Sequence, residues 1–410
     1  MTKPLNIKNQ LELWLFCAVI GAFAGGLVWL LLKIMSVGMA FIWEWLPEQV
    51  PIPIYTPIVC VAGAAVIGVF RKKFGDYPEE LETVMGKVKT DKTYEYKNML
   101  VMMIAALMPL LMGSSVGPEA GLTGIIVGLC YWAGDNLKFA KKHAEEYSQI
   151  GVAVSLSVLF HAPLFGIFEV EEEPGGRVPE LTTSSKVFVY GIALAAGTGV
   201  YAGLSALFGA GLSGFPSFEM EHIARIDYAL IIVYIFCGWL LAMFYKGAHY
   251  ITGRAAAKLP PVLREITAGL LLGITGMFIP QIMFSGEEQM GALIDTYSVY
   301  LPAALIGISF LKILMTNICI QLGLKGGHFF PVIFAGVCMG YGVAMLICGT
   351  AGGHVVFAAA VVTAALLGAI MKKPLAVTML LFLCFPIRLF IWIFIAAAAG
   401  SKFAGKENKA

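Results

Sequence analysis

Apolar residues run along this chain in long stretches, separated by short polar segments rich in glycine and proline. The clearest are Leu13–Leu32, Val187–Gly209, Tyr228–Tyr245, Ile266–Phe284, Leu301–Leu322, Phe329–Cys348, Val355–Met371 and Leu375–Gly400, and only Lys312 and Arg388 place a charge inside them. A helix rises about 1.5 Å per residue and the hydrocarbon core of a bilayer is ~30 Å thick, so the pattern predicts spanning helices from end to end.

Other apolar stretches are broken. Tyr147–Phe160 stops before His161-Ala162-Pro163, and Lys372-Lys373-Pro374 interrupts the run that ends at Met371. Irregular backbone at membrane depth is tolerated only where protein buries it or where it lines a water-filled cavity. Broken helices at matching positions of two halves therefore point to an ion or substrate site near the midplane. Here Pro163-Leu164 recurs as Pro374-Leu375, and Gly124 and Gly128 recur as Gly336 and Gly340 at nearly the same offset. The expectation is an all-α polytopic membrane protein built from two inverted-topology repeats of tilted and re-entrant helices. A cytoplasmic N-terminus spans residues 1–10, the first membrane repeat 11–210, the second 211–400, and a short tail 401–410.

Composition sharpens the class. Hydrophobic residues make up 59% of the chain and charged residues 13%, with a mean hydropathy of +0.82, far from the balance of a water-soluble domain. A net charge of +2 without a basic stripe excludes nucleic acid as a partner. Lys3 and Lys8 favour a cytoplasmic N-terminus and a multi-pass protein of the cell membrane. The eight cysteines sit within or beside apolar segments, as small buried hydrophobes do, and the six histidines show no metal-ligand spacing. No cofactor or metal is expected. No H-E-x-x-H or nucleophile–base spacing suggests an enzyme, and no soluble domain is expected after the last apolar run.

One carboxylate stands apart. Glu119 lies in Gly113-Ser114-Ser115-Val116-Gly117-Pro118-Glu119-Ala120-Gly121, between Asn98–Met112 and Leu122–Gly134, neither of which holds a charge. An acid at that depth is costly in hydrocarbon and usually faces a cavity or an ion pathway. A second glycine break, Gly323-Leu324-Lys325-Gly326-Gly327-His328-Phe329-Phe330-Pro331, precedes another apolar helix. Helix N-termini offer unsatisfied N–H groups and a partial positive charge, which suits a small anion. Close helix packing is the plainer reading of Gly336 and Gly340. Glu169, Glu171, Glu172 and Glu173 follow the first Pro-Leu; a solvated helix end accounts for Glu171 and Glu172, and an intramembrane acid in such a cluster can instead relay protons. Lys312 reads as a snorkelling or paired lysine.

These residues resemble a known family. Gly326-Gly327-His328-Phe329-Phe330-Pro331 resembles the G-G-x-F-x-P motif of the CLC chloride channels and chloride/proton antiporters. Ser115-Val116-Gly117-Pro118-Glu119-Ala120-Gly121 looks like a divergent form of its S-x-G-[KR]-E-G-P. His161-Ala162-Pro163-Leu164-Phe165-Gly166-Ile167 is similar to its N-A-P-[LI]-A-G-I, and Lys373-Pro374-Leu375 to its A-P-L-[TS]. The matches fall in the family's order and cover roughly residues 10 to 400.

The resemblance implies a homodimer in the lipid bilayer, with one pathway per subunit for a small inorganic anion, chloride foremost, and for protons. Glu119 falls on the gating glutamate. Backbone groups of His328, Phe329, Gly117, Pro118 and Ala120 fall on the anion site, and the internal proton-transfer acid falls on Glu173, with Glu169 one helical turn away. The family's G-S-G-I-P-E is matched best by Phe74-Gly75-Asp76-Tyr77-Pro78-Glu79, which puts Gly75 where a serine would serve the anion. The family's late tyrosine has no counterpart after Tyr341. The expected activity is anion/proton antiport. A passive anion channel of the same fold is the alternative, and a secondary transporter for a small organic anion is the rival of another class.

Overall fold

The computed structural model describes residues 7–91, 94–136, 144–172, 183–209, 215–220, 222–349 and 353–403. Its first half begins with α1 (Ile7–Ala40), which continues through a π-helical turn, Phe41–Trp45, into α2 (Leu46–Gln49). Then come α3 (Tyr55–Phe74), α4 (Leu81–Asp91), α5 (Met99–Leu111), α6 (Glu119–Asn136), α7 (Ala144–Leu159), α8 (Phe165–Glu171) and α9 (Thr183–Phe208). The second half holds α10 (Arg225–Ala256), α11 (Leu263–Phe278), α12 (Glu287–Thr296), α13 (Pro302–Gln321), α14 (Phe329–Cys348), α15 (His354–Met371), α16 (Pro374–Leu381) and α17 (Phe390–Phe403). Among the described residues, six helical stretches are long and apolar enough to cross a membrane.

The second half repeats the first element by element. Packing repeats too: α6 lies on α7 as α14 lies on α15, α7 on α8 as α15 on α16, and α1 on α7 as α10 on α15. Between the halves like packs on like, α3 against α11 and α8 against α16, as elements beside a two-fold axis must. Small residues permit the closest approaches. A Cβ on Gly340 would strike the backbone of Ala359, and one on Gly25 would strike that of Gly197. In a bilayer, where lipid is as apolar as leucine, such backbone contact is a main source of helix–helix attraction.

Two apolar stretches that read as single runs are divided. Ile266–Phe284 holds α11 and then a 3-10 turn at Pro280–Ile282, and Leu375–Gly400 breaks before Pro386 between α16 and α17. Proline removes a backbone donor and clashes with the preceding turn, so each break falls at or just before one. Lys312 does not snorkel. It is fully buried, and its Nζ donates to the carbonyls of Met283 at 2.9 Å, Phe284 at 2.8 Å and Ile282 at 3.2 Å, with the Phe334 ring 5.3 Å away. The turn after α11 presents its unsatisfied carbonyls inward, and the lysine caps them.

Candidate anion and proton site

The two glycine breaks meet. After α5, Gly113 takes a φ of +82°, Ser114 N–H bonds Pro109 O at 3.0 Å, and Phe284 N–H bonds Gly113 O at 3.0 Å. Ser115 Oγ lies 3.1 Å from Thr316 Oγ1 on α13. After α13, Gly323 takes a φ of +104° and Leu324 N–H bonds Cys319 O at 2.8 Å. Gly117 and Gly327 then form an isolated antiparallel bridge, each N–H donating to the other's carbonyl at 2.7 Å. Directly beyond it the two chains enter α6 and α14.

Glu119 opens α6 and turns its carboxylate to the start of α14. It is 2% exposed, and its Oε1 accepts the Phe329 N–H at 2.8 Å. First-turn N–H groups have no partner within their own helix, so the carboxylate fills a place suited to a small anion. A Cβ on Gly117 or Gly327 would overlap this carboxylate, which explains glycine at both positions. Oε2 is buried and has no hydrogen-bond partner among the described residues. Beside it lies a cavity of about 20 Å³ lined by Glu80, Leu81, Glu119, Ala120, Gly326, Gly327, His328 and Phe329. A second buried acid, Glu287, stands at the first position of α12. Behind the site, Phe330 stacks on Phe160 at 4.5 Å and on Phe215 at 4.7 Å, forming a rigid aromatic wall.

This geometry changes the expected donor set. His328, Phe329 and Ala120 line the cavity, and the Phe329 N–H is the donor that reaches Glu119. The Gly117 N–H is committed to Gly327, and Pro118 has no N–H, so neither can donate to an anion. Gly75 is not at the site. It ends α3 with a φ of +105°, its N–H bonds Arg71 O at 2.9 Å, and it is exposed. The chain from α3 to α4 contributes Glu80 and Leu81 instead.

The acids after the first Pro-Leu are engaged with the second. Lys373 Nζ donates to Glu169 Oε1 at 2.7 Å, and both side chains are nearly buried. The Glu172 carboxylate accepts the N–H groups of Leu375 at 3.2 Å and Ala376 at 2.7 Å, capping the start of α16. Glu173 lies outside the described residues. Sequence reasoning passed over Glu80 and Glu287. The signal available was positional, because each stands at the opening of the short helix, α4 or α12, that precedes its half's glycine break.

The family model described as voltage gated chloride channel matches residues 63–405. The chain belongs to the voltage-gated chloride channel family. Among curated members of this CLC family, the voltage-gated ClC-type chloride channel ClcB of Escherichia coli O9:H4 (strain HS) is 23% identical over 286 residues. That alignment covers 68% of this chain and 65% of the relative, a little under two thirds of its length. ClcB of Escherichia coli (strain K12 / DH10B) matches over the same extent. The CLC fold is shared with a slow cyanobacterial Cl−/H+ antiporter, at a TM-score of 0.80 and 17% identity, covering 98% of this chain and 96% of that one. A CLC-type fluoride/proton antiporter matches at a TM-score of 0.76 and 18% identity, covering 98% and 97% of the two chains.

Proposed function

We propose that this protein moves a small monovalent anion, chloride foremost, across the cell membrane in exchange for protons. The observation behind this reading is the 2.8 Å hydrogen bond from Phe329 N–H to Glu119 Oε1. An ionised Glu119 occupies the helix N-terminus as a tethered anion. A hydrogen bond to a charged group contributes about 1.5–3 kcal/mol net, and protonation removes much of that advantage. At ~1.4 kcal/mol per tenfold, gaining a proton shifts occupancy of the seat roughly ten- to a hundredfold towards a free anion. Proton uptake and anion entry are thereby linked at one pair of atoms.

The antiporters that share the fold support proton coupling. The name of the ClcB relatives favours the second reading, passive conduction through the same site. With backbone donors and no serine or tyrosine hydroxyl at the cavity, discrimination among small anions is weak in either case. Family membership supports a homodimer, with a complete site in each subunit. A cytoplasmic N-terminus fits Lys3 and Lys8, because basic residues favour that side.

Anion flux from liposomes, with simultaneous recording of proton movement, tests these readings. Anion gradients that drive protons uphill establish antiport; anion flux without proton movement establishes a channel; neither flux overturns both.

A further inference from the structure

We propose that Glu80 is a proton station for Glu119, exchanging protons with it across the small cavity that both side chains line. This assignment rests on the antiport reading. Glu119 already has one oxygen on Phe329 N–H; the other, Oε2, is buried with no hydrogen-bond partner among the described residues. A gating acid must receive its proton on an oxygen that is not holding the seat, and the cavity lies beside this carboxylate. Glu80, half-buried immediately before α4, lines the same cavity.

The dimensions suit the transfer. A space of about 20 Å³ holds one water molecule, which needs at least ~10–15 Å³. In the step, protonated Glu80 gives its proton to that water as the water gives one of its own to Glu119 Oε2. One O–H bond breaks at Glu80, one forms at Glu119 Oε2, and the water forms one as it breaks another. Glu80 ends ionised, Glu119 ends neutral, and the water is restored. The reverse step discharges Glu119. No other reactant is required.

The surroundings also suit it. His328, in the chain leading into α14, lines the cavity together with Glu80, and Lys325 stands three residues before His328. Lys325 in turn pairs with Asp76 at 2.6 Å, Glu79 pairs with Lys87, and Arg71 pairs with Glu265. A charged rim therefore links Glu80 to the aqueous face. Glu169, the described fallback for the internal acid, is committed to Lys373, and Glu172 caps the start of α16.

The test is proton and anion transport by the full chain in liposomes, comparing wild type with Glu80→Gln, Glu80→Asp and, in parallel, Glu173→Gln. Glu80→Gln is expected to lower the protons moved per anion at least tenfold, a ratio read against whatever anion flux the variant retains. Glu80→Asp, still an acid, is expected to restore most of the coupling, which a merely structural role would not produce. Glu80→Ala removes the acid differently and answers the same question should glutamine impair folding. A coupled wild type with unchanged coupling in Glu80→Gln overturns this assignment alone, as does loss of coupling confined to Glu173→Gln. A wild type that moves no protons overturns the antiport reading and this assignment with it.

Discussion

Gly117 and Gly327 exchange both of their backbone hydrogen bonds at 2.7 Å, and this two-residue ladder is where the halves of the protein touch at the site. Neither residue carries a side chain that could crowd the Glu119 carboxylate, and neither has a free N–H with which to compete for it. The bridge fixes the distance between α6, which supplies the acid, and α14, which supplies the donor. Acid and amide are thus held across a single joint.

Replacing Glu119 with glutamine keeps the side chain's size and removes its titration. Glu119→Gln is expected to abolish proton movement while anion flux continues, with most of its pH dependence gone. Paired anion and proton recordings from liposomes check this. Proton-coupled flux at the wild-type ratio in the variant would contradict the gating role.

Gly327→Ala puts a methyl group where the carboxylate lies, so Glu119 must leave Phe329 N–H. The variant is expected to resemble Glu119→Gln in its loss of pH-dependent gating. Gly247→Ala in α10 is the control, because a Cβ there meets nothing within 4 Å. Alanine at an open helical position is expected to add about 0.5–1 kcal/mol of stability, read as a small rise in thermal midpoint.

Lys373 and Glu169 form a nearly buried ion pair between the two Pro-Leu helices. Removing one partner strands the other, which typically costs ~3–5 kcal/mol. Lys373→Met should therefore unfold at markedly lower temperature in detergent, and adding Glu169→Gln should recover much of the loss. A double-mutant cycle with no coupling between the positions would show that the pair contributes nothing.

Lys312→Met removes the cap from the carbonyls of residues 282–284. A buried acceptor left without a partner costs about 1–3 kcal/mol, so the variant is expected to lose at least that much stability. Phe284 N–H also holds Gly113 O, so the loop leading to Glu119 should loosen. Faster hydrogen exchange across 113–118 is the accompanying signature.

Much of this architecture was legible because hydrocarbon imposes a simple rule on sequence. Phe329–Cys348 is both an uninterrupted apolar stretch and the helix α14, and Val355–Met371 differs from α15 by one residue. The glycine breaks and Glu119 also stood out, because a lone charge and a flexible backbone are both conspicuous at that depth. What hid were features defined by partners distant in sequence. α3 ends in three basic residues and α4 is short, so neither registered as a strong apolar run. Matching a serine motif to Gly75 assumed that the helix begins near there, whereas α3 only stops there and α4 starts at Leu81. Lys312 read as a snorkelling or paired lysine, and its partners stayed hidden because hydropathy cannot register the carbonyls that a proline-broken turn presents to it.

Glu119 and the amide that receives it are 210 residues apart. During synthesis the acid therefore enters the bilayer well before its seat exists, and a chain halted between them must leave it protonated or exposed to lipid. The joint cannot form until both halves of the chain are present, so the acid and the amide that receives it can meet only after residue 329 has been made.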